Sequence, residues 1–148
     1  MKLAAVPLIV AAAVMGGGDE LQTAGGAAFS LPDLLSRGPV VLVFWNTWLP
    51  GAGEFAKLLP GVEAAAKQHG WPGAVIVFQE SRSEVGSDFP ALGGTLPFVF
   101  DRRGELLRRF QVTKAPAVLL VGRDGKVRSR CGPDPAEVAA IVREMARR

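Results

Sequence analysis

Cysteine is nearly absent from this chain: Cys131 is the only one among 148 residues. An intramolecular disulfide is therefore excluded, and so is any metal site built from several thiolates. Histidine is equally scarce, with His69 alone. No Cys/His cluster offers a metal-ligand set, and no cofactor is expected. Paired carboxylates, a phosphate-cradling glycine loop and a Ser/His/Asp set are also missing. Charge is sparse and only mildly basic, at +3 with 21% charged residues. The Arg102-Arg103, Arg108-Arg109 and Arg147-Arg148 pairs are scattered and lack interleaved aromatics, which reads as solvated faces rather than a nucleic-acid footprint. What remains is apolar. Hydrophobic residues make up 49%, and the length suits one domain with a substantial core.

The N-terminus carries its own pattern. Lys2 precedes an apolar stretch from Leu3 to Met15, followed by Gly16-Gly17-Gly18 and the acidic Asp19-Glu20. A positive start, a short apolar run and small residues beyond it form an export signal. The run is shorter than the ~20 residues of a membrane span, and Pro7 interrupts it. We expect residues 1–28 to be signal peptide and linker, cut somewhere between about 13 and 28, and residues 29–148 to be the folded domain. No cysteine follows the run, which excludes the usual lipoprotein anchor. Export to the periplasm or cell exterior is the expectation, with no stable membrane span after cleavage; an uncleaved N-terminal anchor is the alternative.

Several runs read as buried strands: Val40 to Phe44, Ala74 to Phe78 and Ala117 to Val121 are continuously apolar, as in sheets covered on both faces. Pro39 stands just before the first. From Gly53 to His69, Phe55, Leu58, Leu59, Val62, Ala65 and Ala66 recur at helical spacing, with Pro60 expected to kink or split the helix and Gly70 to stop it. The polar stretch Glu80 to Thr95 suggests one short helical turn near Ser83 to Phe89. Pro97 to Asp101 reads as a short strand and Arg103 to Phe110 as a short helix facing inward through Leu106, Leu107 and Phe110. Asp124-Gly125 marks a hairpin between Ala117–Val121 and Lys126–Ser129. A last helix runs from about Asp134 to Met145, with Val138, Ile141, Val142 and Met145 on one face.

The segment Phe44-Trp45-Asn46-Thr47-Trp48-Leu49-Pro50-Gly51-Ala52 resembles the TlpA-like branch of the thioredoxin family, whose members read roughly Phe-Trp-x-x-Trp-Cys-Pro-x-Cys there. Val112 to Val118 resembles the same family's cis-proline loop, with Pro116 at the cis position. The lead-in segment Phe29 to Leu35 fits as well. The resemblance covers roughly residues 29–146. It implies an α/β thioredoxin-like fold, a central mixed sheet flanked by helices, with the TlpA-type central insertion. It also implies a thiol-disulfide oxidoreductase ancestry. Here, however, the two cysteine positions hold Leu49 and Ala52. Lys57 stands where relatives often have a proline, and Gly53 where a basic residue is usual.

Dithiol exchange needs a thiolate exposed at a helix start and a second thiol one turn on. Leu49 cannot attack and Ala52 cannot resolve. A one-cysteine peroxidase reading also fails, because the position three residues after Thr47 is Pro50. The candidate site is therefore a binding site: Trp48, Pro50, Ala115 and Pro116, framing a groove for an extended peptide, with Trp48 as an aromatic anchor and Trp45 packed beneath the helix. Cys131 is a redox candidate, expected just after the last strand, its pKa lowered modestly by Arg128 and Arg130. His69 reads as a capping or solvated residue, and Asp101 and Asp124 as turn residues. The expected function is an exported binding or scaffold module without thiol exchange. The alternatives are a redox protein working through Cys131 with a partner's thiol, and a structural relic.

Overall fold

The computed structural model describes residues 21–23, 27–79 and 96–147. Both the apolar N-terminal run and the helical turn expected near Ser83 to Phe89 lie outside these. The elements are β1 (Gln22–Thr23), α1 (Leu31–Leu35), β2 (Val40–Trp45), α2 (Ala52–Ala56), α3 (Leu59–Gln68) and β3 (Gly73–Phe78). After these come β4 (Phe98–Asp101), α4 (Glu105–Arg109), β5 (Ala117–Val121), β6 (Val127–Cys131) and α5 (Pro135–Ala146). The strands form one mixed sheet in the order β1-β4-β3-β2-β5-β6. The pairs β2/β3 and β3/β4 are parallel, while β1/β4, β2/β5 and β5/β6 are antiparallel.

The continuous apolar runs occupy the middle of this sheet because both of its faces are covered. Val41, Val43 and Trp45 of β2 point to one side, where α2, α3 and α5 contribute Phe55, Val62, Ile141 and Met145. Val40, Leu42 and Phe44 point to the other, against Leu31, Leu34 and Leu35 of α1 and Phe110 after α4. Each such side chain, fully buried, contributes roughly 1.5–3 kcal/mol before chain entropy is subtracted. Gly73 lets β3 approach β2: a Cβ there would stand 2.6 Å from the Val41 carbonyl oxygen.

The proline at 60 splits the first long helix as expected. Its ring sits in the first turn of α3, and α2 ends at Lys57, which caps it. The hairpin turns through Gly125 at φ +82°, where Asp124 accepts the Lys126 N–H at 3.0 Å and pairs with Arg128 at 3.3 Å. Asp101 is buried and accepts the N–H groups of Glu105 and Leu106 at 2.8 and 2.9 Å, capping α4. Both aspartates therefore serve turns and caps.

One expectation needs correction, that for Cys131, and two other positions show detail beyond the sequence. Gln22–Thr23 pairs with Phe100 and Val99, so the sheet includes residues ahead of Phe29. Cys131 is the last residue of β6, paired with Val118, rather than a residue beyond the strand. His69 is the C-cap residue of α3, as expected for a capping histidine; its ring lies 5.5 Å from that of Trp71, and its Nε2 is buried with no hydrogen-bond partner among the described residues.

Candidate functional site

Strands β2 and β5 run antiparallel with Phe44 opposite Ala117. The chain leaving β2 after Trp45 and the chain arriving at β5 through Pro116 therefore meet at one end of the sheet. The parallel partner β3 finishes at the same end, with Trp45 opposite Val77. Three backbone segments thus frame the candidate groove: 46–51 in the middle, the end of β3 on one side and 113–116 on the other.

Trp45 is buried, and its indole N–H donates to the Ala52 carbonyl oxygen at 3.0 Å. It packs beneath the helix start, as the sequence suggested. Asn46, fully buried, was not singled out in the sequence. Its Oδ1 accepts the Leu49 N–H at 3.1 Å and its Nδ2 donates to the Phe78 carbonyl at 3.3 Å. A polar residue ending an apolar strand was the available signal. Trp48 is 57% exposed and is the large hydrophobic residue left in solvent among the described residues. Its ring stands edge-on to Phe78, 6.2 Å between centroids at 82°.

Leu49 is half-buried and packs against both core faces, so it fills the first cysteine position as an apolar plug. Pro50 is exposed and Gly51 turns the chain at φ +76°, a conformation that favours glycine. Ala52 follows, buried, with its N–H donating to the Leu49 carbonyl at 3.1 Å. Across β2, the Ala115–Pro116 peptide is cis; Ala115 is half-buried and Pro116 buried.

Cys131 does not join this group. It lies on β6, separated from β2 by β5, and lines a different cleft of about 740 Å³ with Val112, Lys114, Arg130, Glu137 and Ile141. Burial pushes its thiol up to about 11, and the Glu137 carboxylate adds to this, against a hydrogen bond with the Val118 backbone that works the other way. The expected lowering by arginines does not occur. Both arginines are engaged elsewhere: Arg128 pairs with Asp124, and Arg130 donates to the carbonyls of Phe110 and Gln111 at 3.2 Å each. The side chains on the Cys131 face look toward α5, where Ser129 donates to Glu144. At neutral pH the Cys131 thiol is protonated and a poor nucleophile. Among the described residues no group of three or more His, Cys, Asp or Glu is placed to hold a metal ion, and no helix is long and apolar enough to cross a membrane.

No family model matches the chain. Among curated proteins it is similar to sporulation thiol-disulfide oxidoreductase A of Bacillus subtilis, 27% identical over 124 residues, 79% of this chain and 72% of that one. The thiol-disulfide oxidoreductase ResA of the same organism is 26% identical over 107 residues, 72% of this chain and 59% of the relative, so the match spans under two thirds of ResA. Among solved structures, a secreted Mycobacterium tuberculosis disulfide oxidoreductase homologous to E. coli DsbE superposes with a TM-score of 0.65 at 21% identity, over 83% of this chain and 92% of that one. At that identity the likeness speaks for the fold. The chain is a thioredoxin-fold protein related to the thiol-disulfide oxidoreductases of the TlpA-like branch, with Leu49 and Ala52 in the two cysteine positions.

Proposed function

We propose that this chain is an exported binding module that uses the thioredoxin scaffold to hold an extended peptide or protein segment and carries out no dithiol exchange. The observation that carries the reading is the composition of the helix start. Leu49 and Ala52 occupy both sulfur positions, and the single cysteine, Cys131, stands two strands away from β2 on β6, in a cleft beyond β5. The surrounding frame is intact, with Trp48 over β3 on one side of β2 and Pro116 on the β5 side. Two strand spacings separate these walls, about 10 Å, which is the length of roughly three residues of extended chain. An exposed aromatic ring at one end supplies the kind of anchor that dominates peptide contacts. The cationic Lys2 and the apolar run after it support export.

The test is affinity capture from periplasmic extract with the full chain, comparing wild type, Trp48→Ala and Pro116→Thr. A partner retained by wild type and lost from both variants is the expected result. Capture that neither substitution changes would remove the groove from consideration. In parallel, wild type in an insulin-reduction assay with dithiothreitol should add nothing to the rate of dithiothreitol alone; a catalysed rate would overturn the absence of thiol exchange.

A further inference from the structure

Between β2 and the exposed Trp48 lies one buried side chain whose hydrogen bonds reach across the sheet. Asn46 is fully buried, yet its amide is satisfied at both ends: the Leu49 N–H at 3.1 Å on Oδ1 and the Phe78 carbonyl at 3.3 Å from Nδ2. Only this orientation of the amide serves both partners, since an N–H needs an acceptor and a carbonyl needs a donor. The first bond closes the 46–49 turn that carries Trp48 at its tip. The second ties that turn to the last residue of β3. Phe78 is also the residue whose ring supports the Trp48 indole. Turn and platform are thus locked to each other through one amide, 32 residues apart in the chain.

We propose that Asn46 is the positioning residue of the Trp48 site, holding the indole in one orientation over Phe78 so that its free face is presented to a ligand. The proposal rests on the reading of Trp48 as a binding residue. A ring that is 57% exposed gains little order from burial, so its orientation depends on the backbone beneath it. A preorganised anchor binds more tightly because its rotamer freedom is not lost on association. Removing the amide also leaves a buried N–H and a buried carbonyl with one partner fewer, which drives the turn to rearrange toward water.

The experiment is nuclear magnetic relaxation of the three indole N–H groups, with the Trp48 signal identified by Trp48→Phe. Wild type should show a Trp48 indole order parameter near that of rigid backbone, about 0.85. Asn46→Ala should lower it below about 0.6 while the Trp45 indole, bonded to Ala52, keeps its signal and order. A Trp48 indole that is already disordered in wild type, or equally ordered in Asn46→Ala, overturns the proposal. Should Asn46→Ala fail to fold, hydrogen exchange on wild type decides. The Leu49 amide, in a turn beside an exposed residue, should be protected at least tenfold, and its exchange at the rate of an open loop refutes the Asn46 bond. Asn46→Ala that frees Trp48 and also loses the captured partner supports both readings. Freed Trp48 with capture intact supports the positioning role and overturns the groove.

Discussion

The indole nitrogen of Trp45 and the carbonyl oxygen of Ala52, seven positions apart in the chain, lie 3.0 Å apart in a hydrogen bond that closes the loop over the end of β2. The bond fastens the helix start to the strand that delivers it through the backbone of Ala52, and so does not depend on which side chain stands at that position. Trp45→Phe keeps most of the buried ring and removes the donor. A lost hydrogen bond of this kind costs about 1 kcal/mol, and the smaller ring leaves a gap that adds a similar amount. The variant should unfold at lower urea than wild type with an unchanged slope, and an unshifted midpoint would show that the bond contributes nothing.

The two cysteine positions stand at the ends of one closed turn. The Ala52 N–H donates to the Leu49 carbonyl at 3.1 Å, which makes residues 49–52 a turn with its end Cα atoms within about 7 Å. Disulfides bridge Cα separations of about 4.4–6.8 Å. Leu49→Cys with Ala52→Cys, in a Cys131→Ser background, should oxidise in air to an intramolecular bridge and acquire insulin-reducing activity with dithiothreitol. Intact-mass measurement before and after reduction reads the bridge. Two free thiols persisting in air would mean that the turn no longer presents these positions to each other.

Cys131 should react slowly. With the thiol at about 11 rather than the ordinary 9.0, only a small fraction is thiolate at pH 8. Its alkylation rate should climb about tenfold per pH unit and level off only near pH 11, whereas the denatured chain should level off near pH 9. The sign for stability follows. The folded state holds its proton longer than the unfolded state, so this contribution is fully present below about pH 9 and is lost as pH rises toward 11. Iodoacetamide kinetics by mass spectrometry check the first part. A folded-state rate equal to the denatured one at pH 8 contradicts the buried thiol.

Asp101 anchors α4 through two backbone N–H groups while buried. Asp101→Ala leaves both donors without that partner and should cost about 2 kcal/mol. Asp101→Asn, which keeps one acceptor oxygen, should cost less. Thermal unfolding of the pair ranks them, and equal midpoints for wild type and Asp101→Ala would remove the capping role.

Much of the fold was legible because it rests on local patterns. The apolar runs of β2, β3 and β5 are continuous because those strands are covered on both faces, and the break in the helix after Lys57 follows from a proline ring that cannot sit inside a helix. Gln22–Thr23 was not legible: two polar residues show no period, and only pairing with β4 makes them a strand. For Cys131 the neighbouring arginines in sequence suggest a low thiol pKa, but in the fold they bind Asp124 and the carbonyls of Phe110 and Gln111, while burial and Glu137 raise the thiol. The role of Asn46 was not legible because one of its two partners, the Phe78 carbonyl on β3, is brought to it only by the folded arrangement.

The sequence by itself determined which residues stand in the two cysteine positions. With Leu49 and Ala52 in place and a single cysteine at 131, no arrangement of the chain creates a dithiol, since composition bounds reactivity whatever the fold. It also determined the main strands and helices, because hydrophobic period and proline placement act over a few neighbouring residues. The tertiary structure decided which residues share space: Asn46 with Phe78, Trp48 with the same Phe78 ring, Pro116 across β2 from both, and Cys131 in a separate cleft. Those neighbourhoods depend on strand order and register, which are set by how whole faces of the sheet are buried.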